Sequence, residues 1–265
     1  MSQVSVYIIA FNEAEKVRAT IASVQWADEV IVVDSWSTDG TADIAAAMGA
    51  KVVQVKFEGF GNLRNSAIEA CSHEWIFSVD ADERCSPEVA REVRHIMAAQ
   101  DSSDVYRTPR RNYFMGQWIK HSGWYPNYRQ PQLFRKGSMV YDTKPVHEGY
   151  ILQTDKPLGL MRNAIWQFPF KNMAELMHKA NRYSTLGAEK IKHKKITMWT
   201  ALLHAKWAFW KHYIFKLGIL DGWPGFVIAL GSFEGTFYRY VKAMEIQRGD
   251  AWGAPRRQEV PAHRD

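Results

Sequence analysis

The chain is most informative at Trp75-Ile76-Phe77-Ser78-Val79-Asp80-Ala81-Asp82-Glu83, where an apolar run leads into two carboxylates. The apolar run predicts a buried strand, and the Asp-x-Asp would lie where that strand reaches the edge of a sheet. Two carboxylates at such an edge can bind a divalent cation, and hard cations with oxygen ligands usually act on phosphates. From these residues alone, a surface turn or a helix cap is an equal alternative, since Asp favours both.

Three strand-like runs precede this stretch and alternate with helical patterns. Strands are predicted at residues 4–10, 29–34, 51–55 and 74–79, and helices at 13–24, 42–48 and 62–71. The alternation predicts an α/β fold with a mostly parallel, Rossmann-like sheet and helices on both faces. Ligands of such sheets bind outside the carboxyl ends of the strands. The polar residues predicted at those ends are Asn12, Glu13, Asp34, Asp80 and Asp82.

The pattern changes after residue 105. Short strand-like runs broken by Gly, Pro and Asn continue to residue 152, and helices are predicted at 171–192, 198–216 and 225–248. We therefore predict a catalytic domain over residues 1–152, a basic, aromatic-rich helical extension over 153–250 and a loose tail over 251–265.

Charge is distributed unevenly along the 265 residues, whose formal net charge is +6. Residues 1–155 hold 16 Lys+Arg and 20 Asp+Glu, whereas residues 156–265 hold 18 and 8. The second part is therefore strongly basic, and it is also rich in Trp. Basic residues mixed with aromatic ones suit nucleic acid or an anionic membrane surface. A solvated basic face over an aromatic core is the simpler alternative.

Several features bear on location. The two cysteines, Cys71 and Cys85, match neither a metal-ligand spacing nor a disulfide framework, which predicts a reducing, cytoplasmic environment. We expect no secretory signal and no transmembrane segment, which needs roughly 20 clean apolar residues. The helix at 198–216 mixes three lysines with six aromatic residues. It predicts a helix that lies in a membrane interface, or one packed on the protein with its Trp edge in water.

Candidate ligand contacts lie at the ends of the predicted strands. Asp34 ends the second strand, where a carboxylate can accept a hydrogen bond from a base N–H such as that of uracil, although an Asx turn is an alternative. Asn12 is a candidate helix N-cap, and Glu13 is equally explained as a first-turn acid favoured by the helix dipole. Arg64 opens a helix behind a Gly-containing loop, within reach of a base or phosphate, or exposed to solvent.

Two further groups of polar residues follow the Asp-x-Asp. Glu148 is a candidate base for an acceptor hydroxyl, since a partly desolvated carboxylate suits proton abstraction. His147 beside it is a candidate contact for a diphosphate or a metal. Arg129, Gln132 and Arg135 surround a strand-like run, and Arg suits planar diphosphate recognition. An ordinary exposed Glu, and a strand with its arginines in solvent, are the alternatives.

Together these residues resemble the family 2 glycosyltransferases of the GT-A fold, over about residues 3–152. The motifs that carry the resemblance are Ile9-Ala10-Phe11-Asn12-Glu13, Val33-Asp34-Ser35-Trp36-Ser37-Thr38-Asp39-Gly40-Thr41, Arg64-Asn65, Asp80-Ala81-Asp82-Glu83, Gln132-Leu133-Phe134-Arg135 and Val146-His147-Glu148. A subgroup resemblance, to bacterial lipopolysaccharide core glycosyltransferases that include β-1,4-glucosyltransferases, is carried by Gly123-Trp124-Tyr125-Pro126, Val146-His147-Glu148-Gly149 and Leu220-Asp221-Gly222-Trp223-Pro224-Gly225-Phe226.

The resemblance implies an inverting transfer of a hexose, with UDP-glucose the first candidate donor, onto a lipid-linked saccharide such as the lipopolysaccharide inner core. It implies Mg²⁺ or Mn²⁺ bound through Asp82 with Asp80, and Glu148 as the acceptor of the hydroxyl proton. The residues implied in nucleotide-sugar binding are Phe11, Asn12, Glu13, Asp34, Arg64, Asp80, Ala81, Arg129, Gln132, Arg135 and His147. The extension over 153–250 would bind an anionic membrane surface on the inner face of the cytoplasmic membrane, and no nucleic-acid partner is expected.

Three alternatives remain open from the sequence. A nucleotidyltransferase that makes a sugar nucleotide shares the βαβ layout, but it needs a Gly-rich basic loop where Phe11-Asn12-Glu13-Ala14 stands. A nucleic-acid-binding protein would use the basic part and bind with a steep salt dependence. A membrane-surface adaptor without enzymatic activity would use the same part. Both of the last two leave the acidic strand ends without a role.

Overall fold

The structure of the chain is a computed structural model, and it describes residues 2–143 and 149–249. It divides into two compact units. The first unit comprises the chain up to Tyr113 together with Trp124–Pro169, and the second comprises Phe114–Gly123 together with the chain from Phe170 onward.

The elements up to Pro169 begin with the βα alternation predicted from the sequence. In chain order they are β1 (Val4–Ala10), α1 (Ala14–Ser23), β2 (Glu29–Asp34), α2 (Thr41–Ala47), β3 (Lys51–Gln54), α3 (Phe60–Ala70), β4 (Trp75–Asp80), β5 (Glu83–Arg84), α4 (Pro87–Ala98), β6 (Val105–Arg107), β7 (Arg110–Phe114), β8 (Gln117–Trp118), β9 (Pro131–Arg135), β10 (Met139–Tyr141), β11 (Tyr150–Leu152), β12 (Gly159–Leu160) and β13 (Ile165–Gln167). The predicted α/β class is confirmed.

The main sheet of the first unit has the strand order β12-β6-β9-β4-β1-β2-β3. Strands β4, β1, β2 and β3 are parallel, whereas β9 runs antiparallel to both β4 and β6. The parallel pairs place Ala10 opposite Asp34 and Ile9 opposite Asp80. The polar carboxyl ends of β4, β1 and β2 therefore meet at one edge of the sheet.

Helices cover both faces of this sheet, and each face has its own apolar core. On one face Ile8 lies in a cluster with Ile21 of α1 and Val93 of α4. On the other face Ile9 lies in a cluster with Leu63 of α3. Because successive residues of a strand point to opposite faces, a central strand covered on both sides is buried throughout, as β1 is.

The first unit continues past residue 152, where we predicted the helical extension to begin. Strand β12 pairs with β6, and β13 pairs antiparallel with β5 and parallel with β7. These short strands carry little sequence signal of their own, because partners more than 50 residues earlier supply their hydrogen bonds. The helical part therefore begins after Pro169. The predicted tail over 251–265 lies outside the described residues.

The second unit contains the helices predicted for the later part of the chain. They are α5 (Met173–Ile191), α6 (Met198–Trp210) and α7 (Gly222–Arg248), with a π-helical turn at Lys211–Phe215 and a 3₁₀ helix at Gly218–Asp221 between α6 and α7. Asn172 caps α5, and Thr197 opens α6 with a capping box to Thr200. Among the described residues, no single helix is long and apolar enough to cross a membrane. One pair of helical segments, Met198–Phe215 and Gly218–Arg248, reaches that length and hydropathy when taken together, and the two are bent by 69° at the break between them.

Candidate active site

Asp34 ends β2 with its side chain buried, and the turn that follows engages its carboxylate. Oδ2 accepts the backbone N–H of Ser37 at 2.9 Å, and Oδ1 accepts the Ser37 hydroxyl. The bonded N–H lies three residues on, one more than in the Asx turn that we weighed as the alternative at this position. Each carboxylate oxygen has a second lone pair. The turn therefore orients Asp34 without exhausting its capacity to accept an N–H group of a base.

Asn12 connects the loop after β1 to the loop after β2. Its N–H donates to Ser37 Oγ at 2.8 Å, and its Oδ1 accepts the N–H of Thr38 at 2.9 Å. Asn12 has a φ of +55°, in the left-handed region that Asn tolerates better than most residues. The predicted N-cap at Asn12 is wrong, because its side chain is used between the loops and Glu13 occupies the cap position of α1.

Asp39 joins the N-termini of α1 and α2. Its Oδ2 accepts the N–H of Ala14 at 3.0 Å, and its Oδ1 accepts the N–H of Thr41 at 3.1 Å and the Thr41 hydroxyl at 2.5 Å. Thr41 Oγ1 in turn accepts the N–H of Glu13 at 2.9 Å. Burial on its own raises the pKa of Asp39, but these hydrogen bonds outweigh it and lower the pKa below its ordinary range.

We expect Asp39→Ala to lower the free energy of unfolding by about 1 kcal/mol at neutral pH, the usual cost of losing a capping side chain. Since the folded-state pKa of Asp39 is lowered, its contribution is present above the unfolded-state pKa of about 3.9 and is lost as the pH falls through the folded-state value. Urea unfolding at neutral and acid pH measures the difference, with Asp101→Ala in an exposed loop as control. A difference that persists unchanged at strongly acid pH would contradict this assignment.

Asp80 forms an ion pair with Arg64 of α3, whose side chain is buried. Arg64 Nη2 lies 2.7 Å from Asp80 Oδ1, and Arg64 Nη1 donates to Ser78 Oγ at 3.1 Å. Burial on its own raises the pKa of Asp80, but the charges of Arg64 and Arg110 outweigh it and lower the pKa below its ordinary range. Arg64 is therefore not a solvent-exposed helix arginine, and it keeps Asp80 ionised at the edge of the sheet.

Glu83 follows the Asp-x-Asp directly and is completely buried. Its Oε1 accepts Nε–H of Arg110 at 2.6 Å, and its Oε2 accepts the backbone N–H of Asp80 and Nε2–H of Gln132, each at 2.9 Å. Burial raises the pKa of Glu83, although Arg110 opposes the shift. Glu83 thus ties the end of β4 to β7 and β9. The structure uses Gln132, a predicted ligand contact, within this network.

The turn at Ala81 and Asp82 is braced by Thr20 of α1 and by Arg84. The Thr20 hydroxyl donates to the Ala81 carbonyl at 2.6 Å, and Arg84 Nη1 donates to the same carbonyl at 3.1 Å and to Thr20 Oγ1 at 2.5 Å. Arg84 Nη2 also donates to the Lys16 carbonyl at 3.1 Å. Ala81 is one of the residues predicted to contact the nucleotide sugar. In the structure its carbonyl accepts hydrogen bonds from Thr20 and Arg84, and these bonds help to fix the shape of the turn.

Asp82 carries the second carboxylate of the Asp-x-Asp and is partly exposed. Gln167 of β13 places Nε2 at 3.5 Å and 3.4 Å from the two carboxylate oxygens, and the N–H of Phe168 donates to the Asp82 carbonyl at 2.8 Å. Gln167 thus adjoins the carboxylate that we predict to bind the metal. Gln167 could not be identified from the sequence, because it stands 85 residues from Asp82 and outside any recognisable motif.

Phe11, Glu13 and Arg129 are further residues of the predicted site. Phe11 directly follows β1 and is 60% exposed, at the same edge as Asp34 and Asp80. Glu13, at the cap position of α1, forms an ion pair with Lys16 at 3.2 Å. Arg129 lies in the exposed loop before β9, and its charge contributes to the lowered pKa of Asp80. The structure therefore brings Phe11 to the edge and Arg129 within electrostatic range of it.

Arg135 does not lie at this edge of the sheet. Strand β9 runs antiparallel to β4, so its last residue, Arg135, lies opposite Trp75 at the start of β4. At about 3.3 Å per residue, Asp80 is roughly 16 Å further along the strand. Arg135 instead pairs with Glu74 and Asp104 and covers the Trp75 ring. The prediction that Arg135 contacts the nucleotide sugar is wrong.

Glu148 and His147 lie outside the described residues, so their roles stay predictions. The strands on either side of them, β10 and β11, pair antiparallel. Asn65 of α3 fixes β10 by donating to the Tyr141 carbonyl at 3.0 Å and accepting the Tyr141 N–H at 2.9 Å. The guanidinium of Arg64 lies 5.4 Å from the centroid of the Tyr141 ring. Strand β10, which precedes Glu148 in the chain, is therefore held next to Arg64, the residue that pairs with Asp80.

The two carboxylates of the Asp-x-Asp fit a hard divalent cation by the chemistry of their oxygens. In residues 2–143 and 149–249, no group of three or more His, Cys, Asp or Glu side chains is placed to hold a metal ion. Mg²⁺ sites that serve phosphates typically use one or two carboxylates and complete their coordination with phosphate oxygens and waters. Asp82 and Asp80 match that type of site.

The mostly parallel sheet with acidic side chains at its carboxyl edge has the GT-A fold. The family model described as Glycosyl transferase family 2 matches residues 5–150. The chain belongs to this family and is a glycosyltransferase. The resemblance stated from the motifs is thereby confirmed, and the two non-enzyme alternatives are excluded as its main activity.

Relatives match this chain over most of its length. The chain is 29% identical to the lipopolysaccharide core biosynthesis glycosyltransferase LpsC of Rhizobium meliloti (strain 1021), over 93% of both chains. It is 28% identical to an uncharacterized glycosyltransferase of Rickettsia felis, over 92% of this chain and 90% of the relative. The crystal structure of S. aureus TarS 1–349 covers 93% of this chain and 89% of its own, at 17% identity and a TM-score of 0.50, and supports the fold.

Proposed function

We propose that the protein is a metal-dependent, inverting hexosyltransferase that moves glucose from UDP-glucose onto a lipid-linked saccharide, such as the lipopolysaccharide inner core. The observation that carries the proposal is the position of Asp80 and Asp82 at the carboxyl end of β4, two strands away from Asp34 at the end of β2. Family membership supplies the class of donor and acceptor. The hexose, the nucleotide and the cation are the proposed part.

In the proposed complex, each residue at the edge has a separate task. Asp34 accepts an N–H of uracil, and the exposed ring of Phe11 contacts the nucleotide. Asp82 and Asp80 hold Mg²⁺ or Mn²⁺, which offsets the negative charge that grows on the departing diphosphate. Arg64 keeps Asp80 ionised in the position where the cation needs it.

The proposed reaction is a single displacement. The acceptor hydroxyl oxygen bonds to the anomeric carbon of glucose from the face opposite UDP, and its proton passes to the Glu148 carboxylate. The bond from the anomeric carbon to the diphosphate oxygen breaks, and its electron pair leaves with UDP. The role of Glu148 is supported by the resemblance of Val146-His147-Glu148 to the corresponding motif of the family.

The acceptor class is supported by one relative. LpsC, whose name assigns it to lipopolysaccharide core biosynthesis, matches this chain over 93% of its length, including the helical part after Pro169. This shared C-terminal part lies beyond residues 5–150, which the family model covers, and it favours a shared kind of acceptor.

A donor screen tests the proposal. The purified full chain is incubated with UDP-glucose, UDP-galactose or UDP-N-acetylglucosamine and a truncated lipid A–core acceptor, with Mn²⁺, Mg²⁺ or excess chelator. We expect UDP release that requires both the acceptor and the cation and that is fastest with UDP-glucose, and a product with the anomeric configuration inverted by NMR. Pyrophosphate release from UTP and glucose 1-phosphate, with no UDP release, would instead assign a nucleotidyltransferase.

A further inference from the structure

Helix α6 exposes five of its seven large apolar residues and buries two of its three alanines. Ala201 and Ala205 are 0% exposed, whereas Trp199, Leu203 and Trp207 are 76%, 64% and 58% exposed. A helix on the surface of a water-soluble protein normally does the reverse, because burying a large apolar side chain is more favourable than burying an alanine. Contiguous exposed apolar surface of this kind marks a site of interaction.

Four of the five exposed large apolar residues of α6 form one stripe, which continues into the connection to α7; the fifth, Met198 at the start of the helix, lies off it. At about 100° per residue, Trp199, Leu203, Trp207 and Trp210 fall within an arc of about 80°. The exposed large apolar residues that follow are Ile214, Phe215, Leu217, Ile219 and Leu220 in the connection and Trp223 at the start of α7. We call the stripe and these residues the apolar face.

The surroundings of the apolar face are strongly basic. Residues 190–233 contain seven lysines and a single acidic residue, Asp221. Asp221 is buried and accepts backbone N–H groups of the same unit at 3.0 Å and 3.1 Å, so its charge does not face solvent. Lys206 and Lys211 are exposed and lie on opposite sides of the α6 stripe. The apolar face is therefore bordered by positive charge.

We propose that the apolar face inserts into the headgroup–acyl boundary of an anionic lipid bilayer, with the flanking lysines contacting lipid phosphates. Trp suits that boundary because its ring is apolar and its N–H is polar. Lysine side chains extend along apolar surface while the ammonium group stays in water. Helices with aromatic residues on one face and lysines beside them lie in the plane of such a surface.

Charge favours the bilayer over a second copy of this chain. A two-fold interface brings each patch against itself, so Lys206 and Lys211 would border an interface with the same lysines of the other copy, and like charges oppose such association. At an anionic bilayer the sign reverses, and each lysine near the surface strengthens binding by about fivefold.

Attachment through the apolar face is independent of the proposed reaction. It holds the enzyme at a bilayer surface, where a lipid-linked acceptor is anchored. It does not require UDP-glucose or a particular acceptor, because the residues of the apolar face lie after Pro169 and take no part in the edge formed by Asp34, Asp80 and Asp82.

Vesicle flotation of the full chain tests the proposal without donor, acceptor or cation. We expect the protein to float with vesicles of phosphatidylethanolamine and phosphatidylglycerol and to stay in the bottom fraction, unbound, with vesicles of phosphatidylcholine. Rising salt concentration should release the protein from the anionic vesicles. Leu203→Ser is expected to weaken partitioning by about tenfold, and Lys206→Glu by at least about fivefold.

Leu160→Ser is the matched control. Leu160 lies on the edge strand β12 and is 58% exposed, close to the 64% of Leu203. We expect this variant to float like the wild type, with circular dichroism showing that both variants are folded. Equal losses in both Leu variants, or a wild type that binds neither kind of vesicle, overturns the proposal. A wild-type dimer that Leu203→Ser converts to a monomer in light scattering also overturns it, since a second copy would then cover the apolar face.

Discussion

We expect Asp82→Ala to lower the rate of sugar transfer by about a thousandfold or more. Asp82 is the proposed direct ligand of the cation, and losing such a ligand removes several kcal/mol of transition-state stabilisation, where about 1.4 kcal/mol corresponds to tenfold in rate. The fold should survive the change, because the backbone carbonyl of Asp82 accepts the Phe168 N–H at 2.8 Å and the turn is held through Ala81. UDP release at saturating donor and Mn²⁺ measures the loss, and thermal unfolding checks the fold.

Two comparisons make this result specific to the metal site. Asp155→Ala removes an exposed loop carboxylate of the same unit and should leave the rate unchanged. Mn²⁺ binding in the presence of UDP, followed by electron paramagnetic resonance, should weaken in Asp82→Ala but not in Asp155→Ala. Wild-type turnover in Asp82→Ala, or turnover of the wild type that a chelator leaves untouched, would refute the metal assignment.

Arg110→Met should lower the free energy of unfolding by about 3–5 kcal/mol, the usual cost of leaving one member of a buried ion pair without its partner. Arg110 and Glu83 are both buried, and Arg110 Nε lies 2.6 Å from Glu83 Oε1. The loss is large beside the 5–15 kcal/mol or so that stabilises a typical domain. Urea unfolding followed by circular dichroism at neutral pH measures it.

The double variant Glu83→Gln/Arg110→Met is the control for this prediction. Gln retains a carbonyl oxygen that can accept the N–H of Asp80, while the buried charge disappears together with its partner. We expect the double variant to recover most of the stability that Arg110→Met loses, because exchanging both charges for neutral groups avoids an unpaired buried charge. A loss for Arg110→Met below about 1 kcal/mol would show that water or another group compensates Glu83.

Local patterns were sufficient to predict the central part of the first unit. Predominantly apolar stretches such as Glu29–Asp34 and Trp75–Asp80 are typical of parallel strands covered on both faces, and their positions in the structure agree with the prediction to within one residue. Ser86 before Pro87 is a local signal of the same kind for the start of α4, where the Ser86 hydroxyl accepts the N–H of Val89. These signals are local, because a strand period, a cap or a turn is defined by neighbouring residues.

The network around the Asp-x-Asp could not be predicted in the same way. Glu83 stands in the motif, but its partner Arg110 is 27 residues away and Gln132 is 49 residues away. At such separations, nothing in the sequence distinguishes a buried Arg or Gln that binds Glu83 from one that is exposed to solvent. Arg135 shows the converse error, since a residue three positions after Gln132 in the same motif reaches the opposite edge when the strand runs antiparallel to β4.

The sequence by itself determined that a parallel sheet would form and that Asp34, Asp80 and Asp82 would stand at its carboxyl edge, because periodicity and strand direction follow from nearby residues. Only the tertiary structure decided that Arg64 pairs with Asp80, that β9 points Arg135 away, and that α6 turns its alanines inward. Those outcomes depend on which distant strands pair and which helix faces pack, and the free energies that select them arise between residues far apart in the chain.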